Sequence, residues 1–141
     1  MAEDCIFCKI VAGELPAEVV DQDDHTVSFM DINPWVRGHA LVVPKRHSKN
    51  LYEIEDEDLH RTAAASRRLA LRMRDGLGAD GVNLLNACEP AAWQTVFHFH
   101  VHVIPRFEGD PLGSRAGRES PRRGSWKRWR GSCARDVWKG R

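Results

Sequence analysis

Three histidines stand at every second position in Gln94-Thr95-Val96-Phe97-His98-Phe99-His100-Val101-His102-Val103. On a strand, alternate side chains share a face. The spacing therefore predicts that His98, His100 and His102 point one way, with Phe99, Val101 and Val103 turned into the core. A neutral imidazole can attack phosphorus and hold a nucleotidyl group covalently, which divides one hard displacement into two easier ones. Its second ring nitrogen then needs a fixed hydrogen-bond acceptor, so that the attacking nitrogen is unprotonated and aimed. Neighbouring imidazoles and hydroxyl or amide donors can bind the phosphate oxygens as charge shifts onto them. With a side chain as nucleophile, no catalytic metal is required. A metal site and a solvated face are the competing readings of such a row. A fourth imidazole, His39 after Gly38, favours chemistry over a merely structural strand.

A second group is Cys5-Ile6-Phe7-Cys8. Two cysteines at this spacing form a redox pair, half of a zinc site or a coincidence. Redox use lacks support, because no thioredoxin-like βαβ pattern follows. His25 and His60 read as solvated, Cys88 as a small buried residue and Cys133 as an exposed thiol.

The elements that must carry these residues read as follows. Cys5 to Ile10 is one short helical segment. Residues 17–21 and Thr26 to Met30 alternate as two strands joined by an Asp-rich turn. A loop at Asn33-Pro34 and Arg37-Gly38 leads to a third strand at Ala40 to Val43, stopped by Pro44. Asp56 to Leu77 is the clear helix, acidic at its start, basic in its later half and ended by Gly76 and Gly78. Leu59, Ala63, Ser66, Ala70 and Met73 fall near one face and predict its buried side. Strands are expected at Gly81 to Leu85 and, longest of all, at Val96 to Ile104. The order β-β-β-α-β-β implies an α+β domain: an antiparallel sheet of about five strands with one long helix and a short N-terminal one.

The 141 residues suit one domain with a core that needs no disulfide staples. No run of 18 apolar residues exists, and the acidic start lacks the apolar stretch of a signal peptide. A reducing, cytoplasmic setting is the expectation, with the four cysteines as thiols or metal ligands. The net charge of +1 conceals a division. Residues 113–141 carry ten Lys/Arg against two Asp/Glu, while residues 1–112 carry eleven against eighteen. We therefore expect a domain at 1–112 and a basic Arg/Gly/Ser/Trp-rich tail at 113–141 that is poorly ordered. Arginines interleaved with Trp126, Trp129 and Trp138 could bind nucleic acid. An accessory tail without a task and a C-terminus altered by a reading-frame slip are the other readings.

His98-Phe99-His100-Val101-His102-Val103-Ile104 resembles the His-x-His-x-His signature of the histidine-triad (HIT) nucleotide-binding proteins. Phe29-Met30-Asp31-Ile32 is similar to that family's ribose-holding segment, and His39-Ala40-Leu41-Val42-Val43-Pro44-Lys45-Arg46-His47 to its His-x-Leu-Val-x-Pro-Lys-x-His segment. Asn83 to Asn86 and Gln94-Thr95-Val96 follow in order, so the resemblance covers roughly residues 5–107. It implies a HIT-like fold and His100 as nucleophile, with His102 and His39 completing the cluster. It implies that Gln94 and Thr95 donate to phosphate oxygens, Asn86 contacts the substrate and Asp31 accepts from the ribose hydroxyls. Ile6, Phe7, Phe29 and Ile32 would line the base pocket, with core packing as the alternative for these four. His47 and His98 would join Cys5 and Cys8 in a Cys₂His₂ set suited to structural zinc, as in some family members. His98 would then be structural and would brace the chain next to the nucleophile.

The implied activity is hydrolysis at the α-phosphorus of nucleoside phosphoramidates, dinucleoside polyphosphates or related nucleotidyl compounds, with a purine nucleotide as substrate and a homodimer as the assembly. A nucleotidyltransferase using the same intermediate and a non-catalytic nucleotide-binding module are the alternatives. The sequence departs from the family pattern at Ala87-Cys88-Glu89-Pro90-Ala91-Ala92-Trp93, which is poor in glycine, and after Leu112. Pro90 has no N–H to offer a phosphate.

Overall fold

The computed structural model describes residues 4–112. The tail expected at 113–141, with its nucleic-acid reading, lies outside the described residues. By compactness the chain divides into residues 1–110 and 111–141.

Eight elements follow one another: α1 (Ile6–Val11), β1 (Val19–Gln22), β2 (Thr26–Met30), β3 (Ala40–Pro44), α2 (Asp56–Leu77), β4 (Gly81–Leu85), a 3₁₀ turn at Pro90–Ala92, and β5 (Val101–Arg106). The strands form one sheet in the order β1-β2-β3-β5-β4, antiparallel throughout. This is the α+β architecture that the sequence implied. Among the described residues no helix is long and apolar enough to cross a membrane.

The period of two along the strands divides the core between the faces of the sheet. Ala40, Val42 and Val103 turn towards Ala65, Leu69 and Met73 of α2. Leu41, Val43, Val27 and Phe29 turn the other way and pack with Phe7 of α1. The two helices thus cover opposite faces, and the histidines lie on the α1 side.

Helix α2 has its expected bounds. Its C-cap, Gly78, sits at φ 68°, a left-handed position that glycine adopts without strain. Its buried face is rotated from the expected one. Asp58, Thr62, Ala65, Ser66, Leu69 and Met73 are buried, whereas Ala63 is exposed and Leu59 and Ala70 are half-buried. Ser66 and Met73 are buried as expected, whereas the polar Asp58 and Thr62 are members that an apolar count misses, and both hydroxyls are satisfied within the helix. Thr62 donates to the Asp58 carbonyl at 2.7 Å and Ser66 to the Thr62 carbonyl at 2.8 Å.

The second correction concerns the histidine segment. The strand expected from Val96 begins only at Val101. The β3 ladder reaches β5 at Val42↔Val101 and the β4 ladder ends at Leu85↔His102, so residues 96–100 have no strand partner on either side. Instead Phe99 N–H donates to the Ser48 carbonyl at 2.7 Å, and the chain bends at 96–98. Only His102 stands on a strand. Phe99 and Val103 are buried as expected, while Val101 is half-buried.

Candidate active site and metal centre

Short connections bring the histidines together. Chain leaving β3 is pinned where Arg46 Nε meets the buried Asp58 carboxylate at 2.6 Å, which ties His47 to the start of α2. Cys5 caps α1, its Sγ accepting from Cys8 N–H at 3.3 Å, so both thiols face one point. His98, fully buried in the bend before β5, meets them there. Its Nδ1 lies 3.4 Å from Cys5 Sγ, 3.5 Å from Cys8 Sγ and 3.2 Å from His47 Nδ1, and His47 Nδ1 is 3.4 Å from Cys8 Sγ. A tetrahedral zinc with bonds of ~2.0–2.1 Å to nitrogen and ~2.3 Å to sulfur separates such atoms by about 3.3–3.6 Å. The three nitrogen–sulfur spacings have that size, and the nitrogen–nitrogen one is about 0.1 Å shorter. His98 Nε2 also donates to the Pro44 carbonyl at 2.8 Å, which leaves Nδ1 unprotonated as a ligand must be. Burial pushes this imidazole down to about 4, with the neighbouring His47 and His100 acting the same way against the Pro44 bond. The donor set therefore fits a closed Cys₂His₂ zinc centre, with no open position for a reacting ligand.

A second cluster stands beside it. Phe7 meets His100 edge-on at 5.2 Å, His100 meets His102 at 5.1 Å, and His102 is 5.1 Å from His39. His100 Nδ1 lies 2.7 Å from the His98 carbonyl oxygen. A carbonyl only accepts, so Nδ1 carries the proton and Nε2 keeps its lone pair. Burial lowers the His100 pKa, against its bond to His98 and the nearby Asp31 charge. The ring is thus neutral at pH 7 with one nitrogen ready to attack. A metal-site residue and the nucleophile candidate are joined by this single bond.

The same reasoning fixes the other pair. Trp35 N–H donates to His39 Nδ1 at 3.1 Å, so the His39 proton sits on Nε2. That proton is directed at His102 Nδ1, 2.9 Å away, so His102 carries its own on Nε2. Burial lowers the His39 pKa, against Asp31. Burial first, then His100 and His39, push His102 to about 4, against Asp31. Asp31 Oδ2 lies 3.5 Å from His39 Nε2 and 3.9 Å from His102 Nδ1. These three residues have the spacing of a metal site. The tautomer argues otherwise: a ligating imidazole donates its other N–H outwards, whereas His39 Nδ1 receives one.

The remaining expected residues are placed as follows. Asn86 Nδ2 donates to the His100 carbonyl at 2.8 Å and steadies the nucleophile's backbone. Asn86 Oδ1 is buried, and no hydrogen-bond partner among the described residues reaches it. Gln94 is buried, and its amide donates to the Lys49 and Val96 carbonyls at 2.8 and 3.1 Å while its oxygen accepts from Glu89 N–H at 2.7 Å. Those bonds occupy both Gln94 donors within the protein, so the side chain fastens the loop before His98. Thr95 is exposed and shares a cavity of about 360 Å³ with Ile6, Val96 and Phe97. Phe7 and Phe29 are buried against each other, ring centroids 5.3 Å apart, whereas Ile32 is 91% exposed. An apolar cavity of about 420 Å³ on the α2 side is lined by Met30, Gly38 and Ala40 among others and contains none of the histidines.

Two contributions escaped the sequence reading. Glu89 and Trp93 adopt φ of 71° and 74°, left-handed values uncommon for residues with a Cβ, in the glycine-poor loop. Buried Asn50 holds that loop, its Nδ2 donating to Glu89 Oε1 at 2.6 Å. The other is Trp35, whose only signal was its place beside Asn33-Pro34.

The HIT domain family profile matches residues 12–109. The chain belongs to the histidine-triad (HIT) family. It is 44% identical over 114 residues to the Bacillus subtilis protein called Protein hit, covering 80% of this chain and 79% of that one. Among solved structures it is similar to a zinc-bound histidine triad family protein from Mycobacterium smegmatis, with 41% identity, a TM-score of 0.76 and coverage of 89% and 88%. It is also similar to a hypothetical histidine triad nucleotide-binding protein from Sulfolobus tokodaii, at 36% identity and a TM-score of 0.73, covering 78% and 75%. Membership in the HIT family places the chain among nucleotide-handling proteins of hydrolase or transferase type.

Proposed function

We propose that this HIT protein hydrolyses nucleotidyl compounds at the α-phosphorus, among them nucleoside phosphoramidates and dinucleoside polyphosphates, through a covalent nucleotidyl-His100. The observation that carries the reading is the His100–His98 bond, which places the proton of the neutral ring on Nδ1 and so keeps the Nε2 lone pair available. In the first step Nε2 bonds to phosphorus and the leaving group departs with the electron pair of its own bond. In the second, water oxygen bonds to phosphorus, the Nε2–P bond breaks with its electron pair returning to Nε2, and the proton that water loses passes to solvent. His102 Nε2–H donates a hydrogen bond to the phosphate as its charge shifts, with His39 behind it. Thr95 supplies a hydroxyl donor. Gln94 and Asn86 hold the segment in register; Gln94 could donate to substrate only by giving up a bond described above, whereas Asn86 keeps its Oδ1 and one N–H uncommitted among the described residues. Asp31 accepts from the ribose of a purine nucleotide whose base lies along Ile6, Phe7, Phe29 and Ile32.

Cys5, Cys8, His47 and His98 hold a structural zinc, and the working assembly is a homodimer. A reducing cytoplasmic compartment suits the two thiolate ligands. The test is intact-protein mass spectrometry after brief mixing with adenosine 5′-phosphoramidate. Wild type is expected to gain one adenylyl mass transiently and release AMP, and His100→Ala to do neither while still binding AMP. Substantial turnover in His100→Ala would remove the nucleophile assignment.

A further inference from the structure

Half of the Trp35 surface, 46%, is exposed, in a loop where a smaller side chain would avoid that cost. Its ring lies nearly parallel to His102, 10° between planes and 5.6 Å between centroids, and tilts against His39 at 5.1 Å. The same residue's N–H fixes the His39 tautomer. Both of its contacts with the site therefore fall on the two imidazoles that share the 2.9 Å bond. Neither falls on His100, which is held from the other side by His98 and Phe7.

We propose that Trp35 is a positioning residue, whose backbone N–H and indole together lock the His39–His102 pair into the one tautomer that presents His102 Nε2–H to the site. The two devices do different work. The amide decides which His39 nitrogen carries the proton. The indole restrains the His102 ring plane and screens the imidazole–imidazole bond from water, which would otherwise compete for His102 Nδ1 and free that ring to exchange tautomers.

The loop is built to hold Trp35 there. Pro34 restricts the residue before it, Asn33 N–H donates to Asp31 Oδ1 at 2.8 Å, and Val36 is buried with its carbonyl accepting from His39 N–H at 3.2 Å. Asp31 N–H closes the loop onto the His39 carbonyl at 3.1 Å. Trp35 thus projects from a short closed loop whose two ends are the Asp31 and His39 of the site.

The catalytic consequence rests on the hydrolase reading, whereas the tautomer itself can be observed without turnover. The experiment compares zinc-loaded, ¹⁵N-histidine-labelled wild type with Trp35→Ala, Trp35→Leu and Trp35→Phe by the ring-nitrogen shifts and couplings of His39 and His102. Wild type is expected to show both as single Nε2–H tautomers. Trp35→Ala and Trp35→Leu should show His102 as an averaged mixture with His100 unchanged, and Trp35→Phe should restore the single form. With adenosine 5′-phosphoramidate, kcat should fall about tenfold in the Ala and Leu variants, the effect of about 1.4 kcal/mol from one aromatic contact, with KM within about twofold. Unchanged tautomers in Trp35→Ala and Trp35→Leu would overturn the proposal. So would a raised KM at unchanged kcat, which would make Trp35 a substrate contact. If no variant and no wild type turns over nucleotide, the hydrolase reading fails and the spectra alone decide the role of Trp35.

Discussion

Removing the metal is the perturbation with the widest consequences, because one residue joins both sites. His98 offers Nδ1 to the zinc set, its Nε2–H to the Pro44 carbonyl, and its own carbonyl to the His100 Nδ1 proton. A ligand that binds only the folded chain stabilises it by RT ln(1 + [L]/Kd), so each tenfold rise in free zinc above Kd adds ~1.4 kcal/mol. Over three decades that amounts to about 4 kcal/mol, and at about 4 °C per kcal/mol for a domain near this size the melting midpoint should climb by roughly 15 °C. The assay is thermal unfolding in zinc buffers of known free concentration, with Cys8→Ser alongside. The variant should lose the slope, since a hydroxyl replaces the thiolate donor. Formation of the His100 adduct, followed by mass in the same buffers, should rise with zinc occupancy, because the bound ion fixes the carbonyl that sets the His100 tautomer. A midpoint flat across the zinc series, or an equal slope in Cys8→Ser, would refute the assignment of these four ligands. A zinc-dependent midpoint with zinc-independent adduct formation would refute the coupling to His100 alone.

Two further outcomes follow from single side chains. Gly38 sits at φ 88°, and a Cβ there would stand 2.7 Å from Leu77 Cδ1 and 3.1 Å from Pro105 Cγ. Gly38→Ala should cost about 2–4 kcal/mol, from the left-handed backbone and a contact that Leu77 can relieve more easily than the Pro105 ring; a loss below about 1 kcal/mol in urea unfolding would contradict this. His102 is held neutral, its pKa lowered from 6.5 to about 4. The unfolded chain therefore binds this proton first, so the stabilisation is complete above pH 6.5 and is lost as the pH falls towards 4. For this partly exposed ring the loss should be about 2 kcal/mol. In metal-free protein, the fall in unfolding free energy between neutral and acid pH should be smaller by that amount in His102→Gln, and an equal fall in both would exclude the effect.

Local patterning made much of the fold legible. The acidic start and glycine stop of Asp56–Leu77 gave its bounds, because dipole and capping effects act within a turn. The motif order around His39, His47 and His98–His102 also named the residues of both clusters. The buried face of α2 was legible only in part: Ser66 and Met73 lie on it as expected, but Asp58 and Thr62 count as polar until the Thr62 bond to the preceding turn is seen. Nor was the break before Val101, since an alternating run looks like a strand whether or not a neighbour is present to pair with it.

The amino-acid order by itself determined which groups could do chemistry: a run of imidazoles at alternate positions, two thiols three apart, and one carboxylate ahead of His39. The division of labour among them was decided only in three dimensions. His98 and His100 are two residues apart and chemically identical, yet one turns Nδ1 to the thiols and the other gives its Nδ1 proton to a carbonyl. The cause is the tertiary bend at 96–98, together with the Pro44 carbonyl, which lies far from the triad in sequence. An imidazole acts through whichever nitrogen its neighbours leave without a proton, and those neighbours exist only once the chain has folded.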